Sequence, residues 1–108
     1  MFDYLIKNGT IIDGTGDARF QGDIAIQDDR IVAVGTIDGE AKEIIDATGL
    51  VVAPGFVDPH THYDAQLFWD PRATPSNLHG VTSAVMGNCG FTLAPVNNEE
   101  DADYLRRM

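Results

Sequence analysis

Basic residues are scarce in this chain: 7 Lys and Arg stand against 17 Asp and Glu, a formal net charge of −10. That deficit excludes a phosphate-backbone binder, which needs a positive face, and no basic aromatic platform is available for stacking bases. Long apolar runs are missing too. No stretch approaches the ~18 apolar residues of a membrane span, and Met1-Phe2-Asp3-Tyr4 has neither the basic start nor the apolar core of a signal peptide. A cytoplasmic location without membrane contact is the expectation. Cysteine is limited to Cys89, which excludes an internal disulfide and leaves that thiol as a small core hydrophobe, a nucleophile or a metal ligand. Glycine loops for phosphate are absent as well. Gly14-x-Gly16 lacks the third glycine of a dinucleotide fingerprint and the Lys-Ser/Thr of a phosphate loop, and its neighbours Asp13 and Asp17 repel phosphate, so it reads as a tight turn.

What is present divides in two. Residues 1–54 alternate short apolar segments with Gly and Asp turns. The pair Asn8-Gly9 between residues 2–7 and 10–12 predicts a hairpin, and Gln27-Asp28-Asp29 between Asp23–Ile26 and Arg30–Val34 predicts a second. Ala47-Thr48-Gly49 separates Glu43–Asp46 from Leu50–Ala53 as a third pairing or a strand-turn-strand step. The rhythm suggests a small antiparallel sheet or sandwich. Residues 55–108 read differently: an apolar run through Leu50–Val57 broken by Pro54-Gly55, an aromatic and polar connector, one helical turn at Ser76–His79 ended by Gly80, and a buried strand over Val81–Met86. Strand, crossover, strand is the beginning of a parallel α/β architecture, whose chemistry gathers beyond the C-terminal ends of the strands. An acidic tail capped by Asn97 or Asn98, with Arg106 and Arg107 further on, predicts a starting helix.

The chemistry-bearing residues fall at those strand ends. His60 and His62, one residue apart after the apolar run, sit where strand geometry sends both imidazoles to one side, and Cys89 follows the second strand. Imidazole nitrogen and thiolate sulfur are preferred zinc donors, and a catalytic zinc site keeps one position open for water or substrate. A Cys nucleophile would need one activating base, whereas two histidines on one strand suit metal binding better. Asp58 and Asp64 either orient the imidazoles or shape turns. His79 reads as structural or supporting. Asn88 either donates to a bound carbonyl or shapes the turn before Cys89, and Tyr63, Phe68 and Trp69 either line a pocket mouth or pack beneath the connector.

These residues resemble the N-terminal part of the amidohydrolase superfamily, in its N-acyl-D-amino-acid deacylase branch. The resemblance runs through Leu5–Gly16, Asp46–Gly49, Pro54–Asp58, His60-Thr61-His62-Tyr63-Asp64 and Trp69-Asp70-Pro71. It is narrowest at His79-Gly80-Val81-Thr82 and Gly87-Asn88-Cys89-Gly90-Phe91, with Ala94-Pro95 beyond. It implies an α/β fold with a β-sandwich portion: residues 1–54 would give N-terminal strands of a composite β-sandwich, and 55–108 the first two β/α units of an incomplete (β/α)8 barrel, which in full needs about 250 residues. It also implies zinc as cofactor, with His60 and His62 as first-strand ligands and Cys89 in place of the bridging carboxylate of relatives. The remaining ligands and the catalytic aspartate would come from later strands outside this chain.

The implied activity of a full-length parent is hydrolysis of linear amide C–N bonds in small N-acyl-D-amino acids, these 108 residues being inactive and aggregation-prone alone. A cyclic-amide hydrolase of the dihydropyrimidinase type is second, disfavoured because Cys89 stands where a later lysine would otherwise serve. An inactive remnant or accessory module that folds with a partner is the reading from another class.

Overall fold

The computed structural model describes residues 1–90, 92, 96–105 and 107; Phe91 and Ala94-Pro95 of the family-like segment and Arg106 of the tail lie outside the described residues. Two compact units emerge, Met1–Pro54 and Gly55–Met108.

The first unit is a mixed five-stranded sheet. β1 (Phe2–Ile11) lies between β2 (Phe20–Gln27) and the pair β4 (Ala41–Asp46) and β5 (Val51–Val52), with β3 (Arg30–Gly35) outside β2. β2 and β3 run antiparallel through the expected second hairpin, where Asp28 and Asp29 both adopt positive φ (50° and 59°), the two-residue conformation whose twist matches that of the strands. β4 and β5 do not pair with each other. Both run parallel to β1, so the antiparallel expectation is corrected to a mixed sheet, and of the two alternatives for Ala47-Thr48-Gly49 the structure shows the strand-turn-strand step, along one edge.

The hairpin expected at Asn8-Gly9 is also corrected. β1 continues through it, and Asn8 (φ 63°) forms a bulge that shifts the β1–β2 register between Ile6 and Gly9. The cause is tertiary: the Asn8 N–H, turned out of the ladder, is met by the Asp23 carboxylate at 2.9 Å, and Lys7 Nζ reaches the same carboxylate at 2.7 Å. Gly9 is required by close approach, since a Cβ there would lie 2.6 Å from Val52 Cγ2. Beneath the sheet, Leu5, Ala25 and Ile37 form the core, with Phe2, Ala33 and Ala41 against it. Leu5 is 2 % exposed, and burying such a side chain is worth about 1.5–3 kcal/mol.

The second unit pairs β6 (Phe56–Asp58) with β7 (Val81–Ala84) in parallel. Between them come α1 (Tyr63–Gln66) and a 3-10 turn over Ser76–His79, which Gly80 ends in the left-handed conformation (φ 83°). β7 is shorter than the expected Val81–Met86 strand and is not buried: only Val81 is half-covered. A two-stranded sheet has too few neighbours to cover its own faces, which leaves Phe56 and Val57 66 % and 65 % exposed. α2 (Glu99–Leu105) begins as expected, with Asn98 Oδ1 accepting the Asp101 N–H at 2.8 Å. No helix among the described residues is long and apolar enough to cross a membrane.

Candidate metal centre

The two sequence-distant segments that carry imidazole and thiol meet beyond the C-terminal ends of β6 and β7. The histidines lie past β6, not on it: Pro59 has no N–H for the ladder, and Asp58 Oδ1 turns the chain by accepting the His60 N–H at 3.1 Å. His62 occupies the N-cap position of α1 without a side-chain capping bond. The two rings still face a common space, with centroids 5.4 Å apart and planes inclined at 55°. From the other side comes the turn Asn88–Gly90, in which Cys89 takes φ 57°, between Gly87 and Gly90 at φ 81° and 76°. A left-handed conformation costs a non-glycine residue about 1–2 kcal/mol, and such strain concentrates at functional sites.

The result is a three-donor cluster. Ligand atoms of His60, His62 and Cys89 all lie within 4.8 Å of one another, and Cys89 Sγ is 3.2 Å from His60 Nε2. Four-coordinate zinc with its usual bond lengths sets nitrogen and sulfur donors about 3.3–3.7 Å apart; the donor types fit, and the donor spacings, 3.2 Å for the Cys89–His60 pair and at most 4.8 Å across the set, lie on either side of that range. All three side chains are exposed in this segment. The arrangement offers a face for one cation with room for a further ligand.

The neighbouring polar residues resolve the alternatives left open by the sequence. Both aspartates shape turns: Asp58 Oδ1 takes the His60 N–H, and Asp64 Oδ2 takes the Gly87 N–H at 2.9 Å. Asn88 shapes the turn, its Nδ2 donating to Thr61 O at 3.2 Å and Val85 O at 3.0 Å. His79 is exposed at the end of its 3-10 turn, away from the cluster of donors. Tyr63 does line a cleft, of about 350 Å³, with Leu67, Arg72 and Val81 among its walls, whereas Phe68 and Trp69 are exposed outside that lining. Asp70 organises the connector: the Thr74 hydroxyl is the main influence holding its carboxyl below the ordinary range, against a smaller opposing effect of burial, with the Thr74 N–H adding a bond at 2.8 Å.

Sequence reasoning passed over Thr61. Lying between the two histidines it faces the other way, 7 % exposed, and its N–H and hydroxyl both donate to Val85 O, at 3.0 and 2.9 Å. No strand pattern marks it, because residues 60–62 lie past β6, where period-2 alternation does not apply.

A family model described as the amidohydrolase family matches residues 43–108. The chain belongs to the amidohydrolase family. Among the relatives of this chain is the N-acyl-D-aspartate deacylase of Alcaligenes xylosoxydans xylosoxydans, 43% identical over 99 residues that cover 91% of this chain and 20% of the relative. The crystal structure of a D-aminoacylase, described as defining a novel subset of amidohydrolases, aligns with a TM-score of 0.84 and 43% identity over 97% of this chain and 23% of the other. The N-acyl-D-glutamate deacylase from Bordetella bronchiseptica, complexed with zinc and a phosphonate inhibitor that mimics the tetrahedral intermediate, aligns with a TM-score of 0.82 and 41% identity over 88% of this chain and 20% of the other. The chain thus spans about a fifth of the length of the relatives it matches. Its fold is sheet-dominated α/β, consistent with N-terminal sandwich strands followed by the beginning of an incomplete hydrolase barrel.

Proposed function

We propose that the whole protein is a zinc-dependent hydrolase of linear amide bonds in N-acyl-D-amino acids, to which this segment contributes His60, His62 and Cys89 as metal ligands. The observation that carries the reading is the convergence of those three donors within 4.8 Å. The likeness to deacylases of N-acyl-D-aspartate and N-acyl-D-glutamate, one of them complexed with zinc, supports the metal and the substrate class. Zinc in such a site supplies Lewis acidity, polarising an acyl carbonyl and lowering the pKa of water. The chain's own residues do the positioning. His60 and His62 present imidazole nitrogens from one loop and Cys89 presents sulfur from another. The carboxylate that passes a proton to the leaving amine would come from outside these residues, as would the other ligands.

Within that protein, residues 1–54 act as part of the sandwich and 55–108 as the start of the barrel. A free thiol among the ligands suits a reducing compartment, so we place the protein in the cytoplasm, without membrane or nucleic-acid partners. The test is the full-length protein assayed for zinc content and for hydrolysis of N-acetyl-D- and N-acetyl-L-amino acids. Bound zinc and selective D-substrate turnover, both lost in Cys89→Ala, are expected. Turnover of dihydrouracil or hydantoin in place of the N-acyl compounds would replace this reading with the cyclic-amide one.

A further inference from the structure

The geometry points to Thr61 and Asn88 as positioning residues that set the metal affinity of the centre by locking the Cys89 turn to the histidine loop. This rests on the reading of His60, His62 and Cys89 as ligands. Three donors converge on a single acceptor, Val85 O: the Thr61 N–H at 3.0 Å, the Thr61 hydroxyl at 2.9 Å and Asn88 Nδ2 at 3.0 Å. Asn88 Nδ2 also reaches back to Thr61 O at 3.2 Å. Both neighbours of that amide are carbonyl oxygens, so only its NH2 side satisfies them, which fixes the side chain's orientation. Thr61 is flanked by the two histidines, and Asn88 immediately precedes Cys89; each brace therefore acts one residue from a metal-binding side chain.

A second observation makes the lock necessary. Gly87, Cys89 and Gly90 all have positive φ, and a turn in that conformation has no repeating ladder of its own to hold it. Its fixed points are side-chain bonds: the Asn88 amide and, one residue earlier, Asp64 Oδ2 on the Gly87 N–H at 2.9 Å. Val85 N–H in turn donates to Asp58 O at 2.9 Å, which ties the same strand end to the residue that turns the chain into His60. Removing a brace leaves every ligand in place but frees the spacing between sulfur and imidazole. Groups that orient ligands in this way commonly contribute roughly 10- to 100-fold in metal affinity.

The experiment uses the full-length protein as wild type, Thr61→Val, Thr61→Ser, Asn88→Ala and Cys89→Ala. Zinc affinity is measured by competition with a chromophoric chelator, and the cobalt-substituted forms are compared by their thiolate-to-cobalt charge-transfer absorption. Thr61→Val keeps the shape and loses the hydroxyl; Asn88→Ala loses the double carbonyl contact. Each is expected to weaken zinc binding roughly 10- to 100-fold and to diminish the charge-transfer band, while Thr61→Ser restores both. Wild-type affinity and spectrum in Thr61→Val and Asn88→Ala, with metal lost in Cys89→Ala, would overturn the positioning role and leave the ligand set standing. Wild-type affinity and spectrum in Cys89→Ala would remove the ligand reading and this inference with it. Should Thr61→Val fail to fold, Asn88→Ala decides alone, because its side chain is only half-buried.

Discussion

Asp23 is the buried carboxylate of the first unit, receiving Lys7 Nζ, the Asn8 N–H and the Ile37 N–H at 2.7, 2.9 and 3.0 Å while 6 % exposed. The Lys7 contact foremost, then the two N–H groups, hold its pKa down at about 2. Because the folded value lies below the unfolded one, the unfolded chain takes up the proton first. The stabilisation is therefore complete above about pH 4 and disappears as pH falls through about 2. The full-length protein should melt higher than its Asp23→Asn variant at pH 5, with the gap closing towards pH 2; a gap independent of pH would contradict the linkage. Gly55 is a second residue-scale constraint, since a Cβ there would overlap the Thr82 side chain. Gly55→Ala should destabilise the protein by about 1–3 kcal/mol, read as a lower denaturation midpoint.

At the scale of elements, the bulge in β1 is paired with the step between β4 and β5. Lys7 O accepts the Ala47 N–H at 2.8 Å and Thr10 N–H donates to Leu50 O at 2.9 Å, so both sides of β1 absorb an irregularity at the same level. Asn8 carries the left-handed conformation that makes this possible. Asn8→Gly should leave stability within a few tenths of a kcal/mol, whereas Asn8→Ala should cost about 1 kcal/mol or more, because alanine resists φ > 0. Thermal unfolding of the two variants side by side checks this, and equal melting temperatures would refute the strained-bulge account.

For the molecule as a whole, the second unit presents two paired strands and little else to cover them. Phe56, Val57, Leu78 and Trp69 are all exposed, and both outer edges of β6 and β7 lack a partner among the described residues. Open edges beside apolar side chains template association. Expressed alone, these 108 residues should elute as aggregates and bind a hydrophobic dye strongly. A monodisperse species that unfolds in one cooperative step would show that the exposed faces are tolerated.

Local chemistry was enough to read several features from the sequence: the Asp28-Asp29 hairpin, the glycine-ended turn at His79, the Asn98 cap, and the assembly of His60, His62 and Cys89 from donor type and position after apolar runs. The first three depend on one residue's own conformational preference; the donors were legible as residue types that follow apolar runs, although the strand expected to carry the histidines ends at Asp58. The sequence misled at Asn8-Gly9, because a left-handed Asn-Gly serves a hairpin or a bulge equally well and only the distant Asp23 carboxylate selected the bulge. It gave no weight to Thr61, whose role exists only because Val85 O is brought to it across 24 residues. Side-chain identity therefore determined which atoms are available for chemistry, while the tertiary structure alone decided which long-range carbonyl or carboxylate each one meets. Hydrogen bonds across such separations depend on strand register and turn placement, which no local stretch of sequence contains.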